Sequence, residues 1–418
     1  MKKIVKIITL ITASLVIVGC GSDLDQPVNE EVKGGELFVN FPASAIKPSL
    51  VAKGLIDENR TVYGYKAYKI PYVTHDEEGT EVKVSGLFVI PTGLPSVVTE
   101  QLGLSMVSDD HGTIFANNEA PSVIADDTGA PDGSSILLTS LGGFATLQPD
   151  YIGFGDSKDH YHSFVLKDSL ANASVDFIKQ VKVFAKDNNI TLNNQLFLTG
   201  YSEGGYAAMA TLKKIEEEQL GDLTVTMAAP MAGPYDLKTL ADVVLSQPKL
   251  GVPSFMANVG YAYAKANNQE LSTVINAEYA SKLPTLFNGD LTRVDIDKEL
   301  TTDTTGTNGL FAQTFVNNYF KDDTHWFKVA VTENSLHAWA PTTALRLVHC
   351  EGDDVIPYGI SQLTEGTMKY LGASNVAIVP VEKALGMESL VGHGSCGSLA
   401  YSVTTAMFAG VRKQTIGY

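Results

Sequence analysis

Gln195-Leu196-Phe197-Leu198-Thr199-Gly200-Tyr201-Ser202-Glu203-Gly204-Gly205-Tyr206-Ala207-Ala208-Met209-Ala210 decides how the rest of the chain is read. The apolar run predicts a strand, the Ala-rich run a helix, and the segment between them a very tight turn. Such a turn strains the residue at its apex and needs small neighbours; Gly200 and Gly204 supply them and leave Ser202 projecting. This is the pattern of a nucleophile elbow. A serine hydroxyl is a poor nucleophile near neutral pH, so the elbow predicts a histidine base and a carboxylate to orient it further along the chain.

Both are found downstream, each just past a predicted strand. Ala344 to Cys350 is an apolar run followed by Glu351-Gly352-Asp353-Asp354-Val355-Ile356-Pro357, which supplies the acid. Val376 to Val381 is the last predicted strand, and Val391-Gly392-His393-Gly394-Ser395-Cys396-Gly397 supplies the histidine, before a helix around 398–409. Nucleophile, acid and base therefore run Ser202, Asp353, His393. Upstream, Leu102 to Val107 leads into Ser108-Asp109-Asp110-His111-Gly112-Thr113, where an oxyanion-hole loop belongs. The expected donors are the backbone N–H groups of Thr113 and of Glu203, the residue after the nucleophile. Asp109, Asp110 and His111 do not read as a metal site, because adjacent side chains at a strand end do not converge.

The remaining segments fill in an alternating strand and helix pattern. Thr61 to Tyr68 and Glu81 to Pro91 read as antiparallel first strands around the turn Thr74-His75-Asp76-Glu77-Glu78-Gly79, with His75 solvated. Ile136 to Ser140 and Phe144 to Leu147 lead to the glycine-punctuated Pro149-Asp150-Tyr151-Ile152-Gly153-Phe154-Gly155-Asp156-Ser157, which lacks the spacing of a nucleotide-binding loop. His160 and His162 follow in a polar loop expected at the mouth of the site rather than on a metal. Residues 168–186 have helical spacing, and Leu223 to Ala229 is a further strand. From about 237 to 340 the pattern turns helical and irregular, too long for a single crossover, and predicts a helical cap inserted over the catalytic face. His325 and His337 fall there and read as structural.

The chain as a whole resembles the α/β-hydrolase superfamily, and within it the bacterial and fungal secretory lipases and carboxylesterases. The matching segments are Val84-Ser85-Gly86-Leu87 with Pro91, His111-Gly112-Thr113, Pro149 to Gly155, Gly200 to Gly205, Gly352 to Pro357 and Gly392-His393-Gly394. The resemblance implies an α/β-hydrolase fold: a mostly parallel central sheet with helices on both faces and an inserted helical cap. It implies a serine esterase or lipase that needs no cofactor and no metal. The acid of the related turn lies four residues before the proline, which selects Asp353, with Asp354 as the alternative. Asp110 departs from the family pattern, where a neutral or apolar residue is common. The same fold and order of groups also fit a serine peptidase of the prolyl-oligopeptidase kind, and a ligand-binding envelope lipoprotein that has lost catalysis is the reading from outside enzymes.

The ends of the chain carry an address. Lys2, Lys3 and Lys6 precede an apolar stretch from Ile7 to Val18 that is short for a bilayer span, and residues 1–19 read as a signal peptide. Ile17-Val18-Gly19-Cys20 resembles the lipobox of bacterial lipoproteins. That resemblance implies lipidation of Cys20, an N-terminal membrane anchor, and sorting to the outer membrane of the cell envelope. Residues 20–36 then read as a tether and 37–418 as the catalytic domain. Cleavage before Cys20 leaves 27 basic against 47 acidic side chains, a net charge of −20, which disfavours nucleic acid and suits a neutral small-molecule or lipid ester. With Cys20 acylated, Cys350 and Cys396 are the two remaining cysteines in an oxidising compartment, and a disulfide between them is expected, two buried free thiols being the alternative.

The composition suits one large α/β domain: 418 residues, 44% apolar and 18% charged, enough to bury an extensive core.

Overall fold

The computed structural model describes residues 30–52, 56–128 and 133–418; Cys20 and the expected signal peptide lie outside them. The described residues build one ten-stranded sheet in the order β1-β2-β3-β4-β6-β5-β7-β8-β9-β10. Its antiparallel end comprises β1 (Glu30–Val32), β2 (Gly35–Phe41), β3 (Gly64–His75) and β4 (Glu81–Thr92). The rest is parallel: β5 (Leu104–Asp110), β6 (Ala145–Pro149), β7 (Leu192–Tyr201), β8 (Val225–Met231), β9 (Leu345–His349) and β10 (Val376–Pro380).

Strand β7 shows why these residues form this sheet. Alternate side chains of a strand point to opposite faces. Leu196 and Leu198 enter the core beneath the helix Lys167–Asp187, with Phe177 and Phe184, while Phe197 enters a second core with Phe144 and Phe408. A strand covered on both faces has no polar side, so it reads as an unbroken apolar run. The second core docks the C-terminal helix His393–Ile416, which starts at the predicted base and runs further in both directions than the expected 398–409.

Three other stretches differ from expectation. Residues 30–36, expected within the tether, form β1 and the start of β2, joined at Gly34, whose φ of 82° makes the reversal. Ile136–Leu141, an apolar run like its neighbour strand, is a wide helical turn packed on the sheet. The first hairpin is longer than predicted: Thr74 and His75 close β3, and His75 is exposed.

Between β8 and β9 the chain leaves the sheet for residues 232–344. The longer helices there are Leu237–Ser246, Pro253–Ala266, Gln313–Lys321 and Trp326–Glu333. Two isolated bridges, Lys249 with Asp303 and Ile275 with Phe311, are the strand-like pairings within it.

Phe408 is fully buried, its ring centroid 4.6 Å from Phe197, and it fixes the helix that carries His393. Phe408→Ala is expected to cost about 3–5 kcal/mol in urea unfolding, through lost burial plus the cavity left behind.

Candidate active site

The C-terminal edge of the parallel strands gathers the predicted groups. Ser202 stands between β7 and the helix Glu203–Glu217 at φ 60°, ψ −119°, a conformation that L side chains avoid. Two contacts hold it. The Ser202 N–H donates to the Met231 carbonyl of β8 at 2.9 Å. Gly204 lets the helix press on β5 so closely that a Cβ there would lie 1.8 Å from the Asp110 carbonyl oxygen.

His393 is 8% exposed, and its Nε2 lies 2.9 Å from Ser202 Oγ. Its Nδ1 lies 2.7 Å from Asp353 Oδ2. The ring therefore carries its hydrogen on Nδ1 and leaves Nε2 to accept from the serine hydroxyl. The Asp353 Oδ1 atom accepts the backbone N–H groups of Val355 and Ile356 at 2.9 and 2.8 Å. Burial alone would raise this carboxyl, but the hydrogen bonds from His349 and His393 outweigh it and hold Asp353 well below the usual carboxylate range. Asp354 meets His393 differently, since its Oδ1 accepts the backbone N–H of His393 at 2.9 Å, at the positive end of the C-terminal helix.

The loops bearing acid and base are cross-tied. A disulfide joins Cys350 to Cys396. The buried Glu382 carboxylate accepts N–H groups from Glu351 and Gly352 on the acid loop, at 2.9 and 3.2 Å, and from Val391 beside the base, at 3.1 Å. Tyr201 donates its hydroxyl to the His393 carbonyl at 2.7 Å. Only the cysteines among these ties carry a sequence signal; Glu382 follows an ordinary strand, and nothing local marks it.

Thr113 and Glu203, the two residues expected to supply oxyanion donors, line the same pocket as Ser202. Glu203 starts its helix, so its N–H has no intrahelical acceptor. Its carboxylate is buried, with Oε1 2.6 Å from His162 Nε2. Burial works to lower the His162 pKa, but the charge and hydrogen bond of the adjacent Glu203 raise it more. The sequence places His162 in an open loop at the mouth; instead its side chain is only 9% exposed and braces the elbow through Glu203. His160 is exposed, as a polar loop requires.

The acids behind the oxyanion loop diverge. Asp109 accepts from Tyr401, Ser134 and Gln148. Asp110 takes one hydrogen bond from Ser174, and burial pushes its carboxyl well above the usual carboxylate range. His111 turns inward, its ring 4.1 Å from Tyr151. Asp150 accepts from Ser85 and Ser122, making the glycine-punctuated loop a brace beneath the sheet. Among the described residues, no three His, Cys, Asp or Glu side chains converge as metal ligands. His325 packs on Phe315 and Trp326, and His337 faces Asp236 at 3.8 Å.

Above Ser202 the cap encloses an apolar pocket of about 870 Å³, counting its open mouth, walled by Leu240, Val244, Phe255, Met256, Val259 and Val331.

Residues 133–218, from before β6 through the elbow helix, match the prolyl oligopeptidase family. No curated protein sequence matches the chain. Among solved structures it is similar to a protein of Legionella pneumophila, at TM-score 0.78 and 22% identity over 91% of this chain and 97% of that one. It is also similar to the rice cell wall degrading esterase LipA from Xanthomonas oryzae, at TM-score 0.76 and 20% identity over 91% and 96%. Candida antarctica lipase A is a more distant likeness, at TM-score 0.56 and 14% identity over 89% and 83%. A mostly parallel sheet flanked by helices, with a strand–elbow–helix at its centre and nine-tenths of the chain superposable on such structures, means that this protein has the α/β-hydrolase fold.

Proposed function

We propose that the protein is a carboxylic ester hydrolase working through an acyl-enzyme on Ser202. Ser202 Oγ bonds to the ester carbonyl carbon as its proton passes to His393 Nε2, and the carbonyl oxygen becomes an oxyanion facing the N–H groups of Thr113 and Glu203. The C–O bond to the alcohol then breaks, and His393 returns the proton to the leaving oxygen. Water repeats the sequence on the acyl-enzyme, giving up its proton to His393 and releasing the acid. Asp353 stays ionised and steadies the imidazolium. The observation that carries this reading is the unbroken series Asp353, His393, Ser202, at 2.7 and 2.9 Å, opening on an almost wholly apolar pocket. A chain of methylenes suits those walls, whereas a peptide would leave its amides unpaired. The named esterase and lipase among the similar structures agree with it.

The match to the prolyl oligopeptidase family favours a second reading, a serine peptidase. We further infer that Cys20 carries the lipid that anchors the enzyme to the envelope, from the lysines and the Gly19-Cys20 pair. Loss of fatty-acid labelling in Cys20→Ala is the expected result; labelling that persists refutes the anchor.

Ser202→Ala is expected to lose kcat on p-nitrophenyl esters by on the order of a million-fold, and to lose labelling by a fluorophosphonate. Along the ester series kcat/KM should rise about fourfold per added methylene until the pocket is filled, on the usual worth of a buried CH₂. Turnover of peptide anilides but not esters would select the peptidase.

Reducing the Cys350–Cys396 bond should lower kcat roughly two- to fivefold at temperatures where the fold survives, because Glu382 still ties the two loops. In Glu382→Gln the loss on reduction should be larger, a coupling of about 1 kcal/mol between neighbouring ties read from a double-mutant cycle. Unchanged kinetics after confirmed reduction would assign the bond to stability alone.

A further inference from the structure

The carboxylate of Asp353 is shared. Besides His393, its Oδ2 atom has the Nε2 of His349 at 3.2 Å, and His349 is the last residue of β9, fully buried. That Nε2 also lies 3.1 Å from the Ile356 carbonyl oxygen, so it faces two acceptors and must carry the ring hydrogen. On the other side of the ring, Nδ1 is 2.7 Å from the hydroxyl of buried Ser361, which donates to it. The neighbours thus select the Nε2–H tautomer. A carboxylate has about four acceptor positions, and here all four are taken: two by backbone N–H groups of Val355 and Ile356, two by imidazoles.

We propose that His349 is a positioning residue that, by donating to Asp353 Oδ2, sets how tightly the carboxylate holds the hydrogen of His393. The inference rests on the ester hydrolase reading above. Two donors on one oxygen share its electron density, so each bond is weaker than it would be alone. Remove His349 and Oδ2 turns wholly to His393. The protonated imidazole is then better stabilised, and a higher pH is needed to free Nε2 as a base. The other ionisable groups around the pair are few. Tyr358 packs edge-on to His349 at 5.6 Å, Tyr201 lies against His393, Asp354 binds the His393 N–H, and Glu382 binds the backbone of both loops. Among the described residues no lysine or arginine forms an ion pair with this carboxylate, which leaves His349 as the side chain besides His393 that donates to it.

The test uses the full-length chain. In His349→Leu the acid limb of kcat/KM for a p-nitrophenyl ester should move up by about one pH unit, a roughly tenfold loss at pH values below the limb. His349→Gln, whose amide nitrogen reaches the same position, should keep the limb of the wild type. A folded leucine variant whose limb stays put, even with a lower melting temperature, overturns the proposal and leaves His349 a packing residue. Should that variant not fold, nitrogen-15 spectra of the wild type decide: a neutral His349 with its hydrogen on Nε2 supports the proposal, and a hydrogen on Nδ1 refutes it. Fluorophosphonate labelling of the wild type separates the two levels. Unlabelled folded protein sinks the esterase reading, while labelled protein with an unmoved limb sinks only the role of His349.

Discussion

A single strained residue organises this molecule. Ser202 sits at φ 60°, a conformation costing on the order of 1–3 kcal/mol, and it stays there because the surroundings allow no alternative. Its N–H is bonded to β8, and the helix after it is pressed onto β5 through Gly204, where even a methyl group would collide with backbone. Strand, helix and two neighbouring strands thus fix the orientation of one hydroxyl. The rest of the parallel edge brings matching groups to it, each from the loop after a different strand.

Charge around the site is divided by environment rather than by residue type. Asp110 and Asp353 are both buried aspartates. Asp110 has one hydroxyl donor and its carboxyl is pushed well up by burial; Asp353 has two imidazole and two backbone donors and is pulled down. The two carboxyls, one at the end of β5 and one on the loop after β9, are thus driven in opposite directions by their neighbours. A further carboxylate, that of Glu203 one residue from Ser202, is met by the His162 ring at 2.6 Å.

Features encoded by local spacing are legible from the sequence. The elbow, the strand before it and the helix after it need only a few contiguous residues, and the order of Ser202, Asp353 and His393 needs only strands recognisable as apolar runs. Ile136–Leu141 is not legible, because a short apolar run suits a buried strand and a buried helical turn equally. Residues 30–36 are charged and glycine-rich like a tether, and form strands because β3 offers them an edge. His162, His349 and Glu382 give no local sign, since each is defined by a partner that only the folded sheet brings near. Nor does the sequence show how the adjacent pair divides: Asp353 meets the ring of His393, and Asp354 the helix end.

The long helical excursion leaves the sheet after Met231 and returns at Leu345, and β8 and β9 are neighbours, with Met231 opposite Val348. Its two roots therefore stand about one strand spacing apart, roughly 5 Å. A loop with adjacent roots can grow, shrink or be exchanged without shifting the strands that hold it. The walls of the apolar pocket and the sheet edge that carries Ser202 are thus free to diverge separately, with one seam between them.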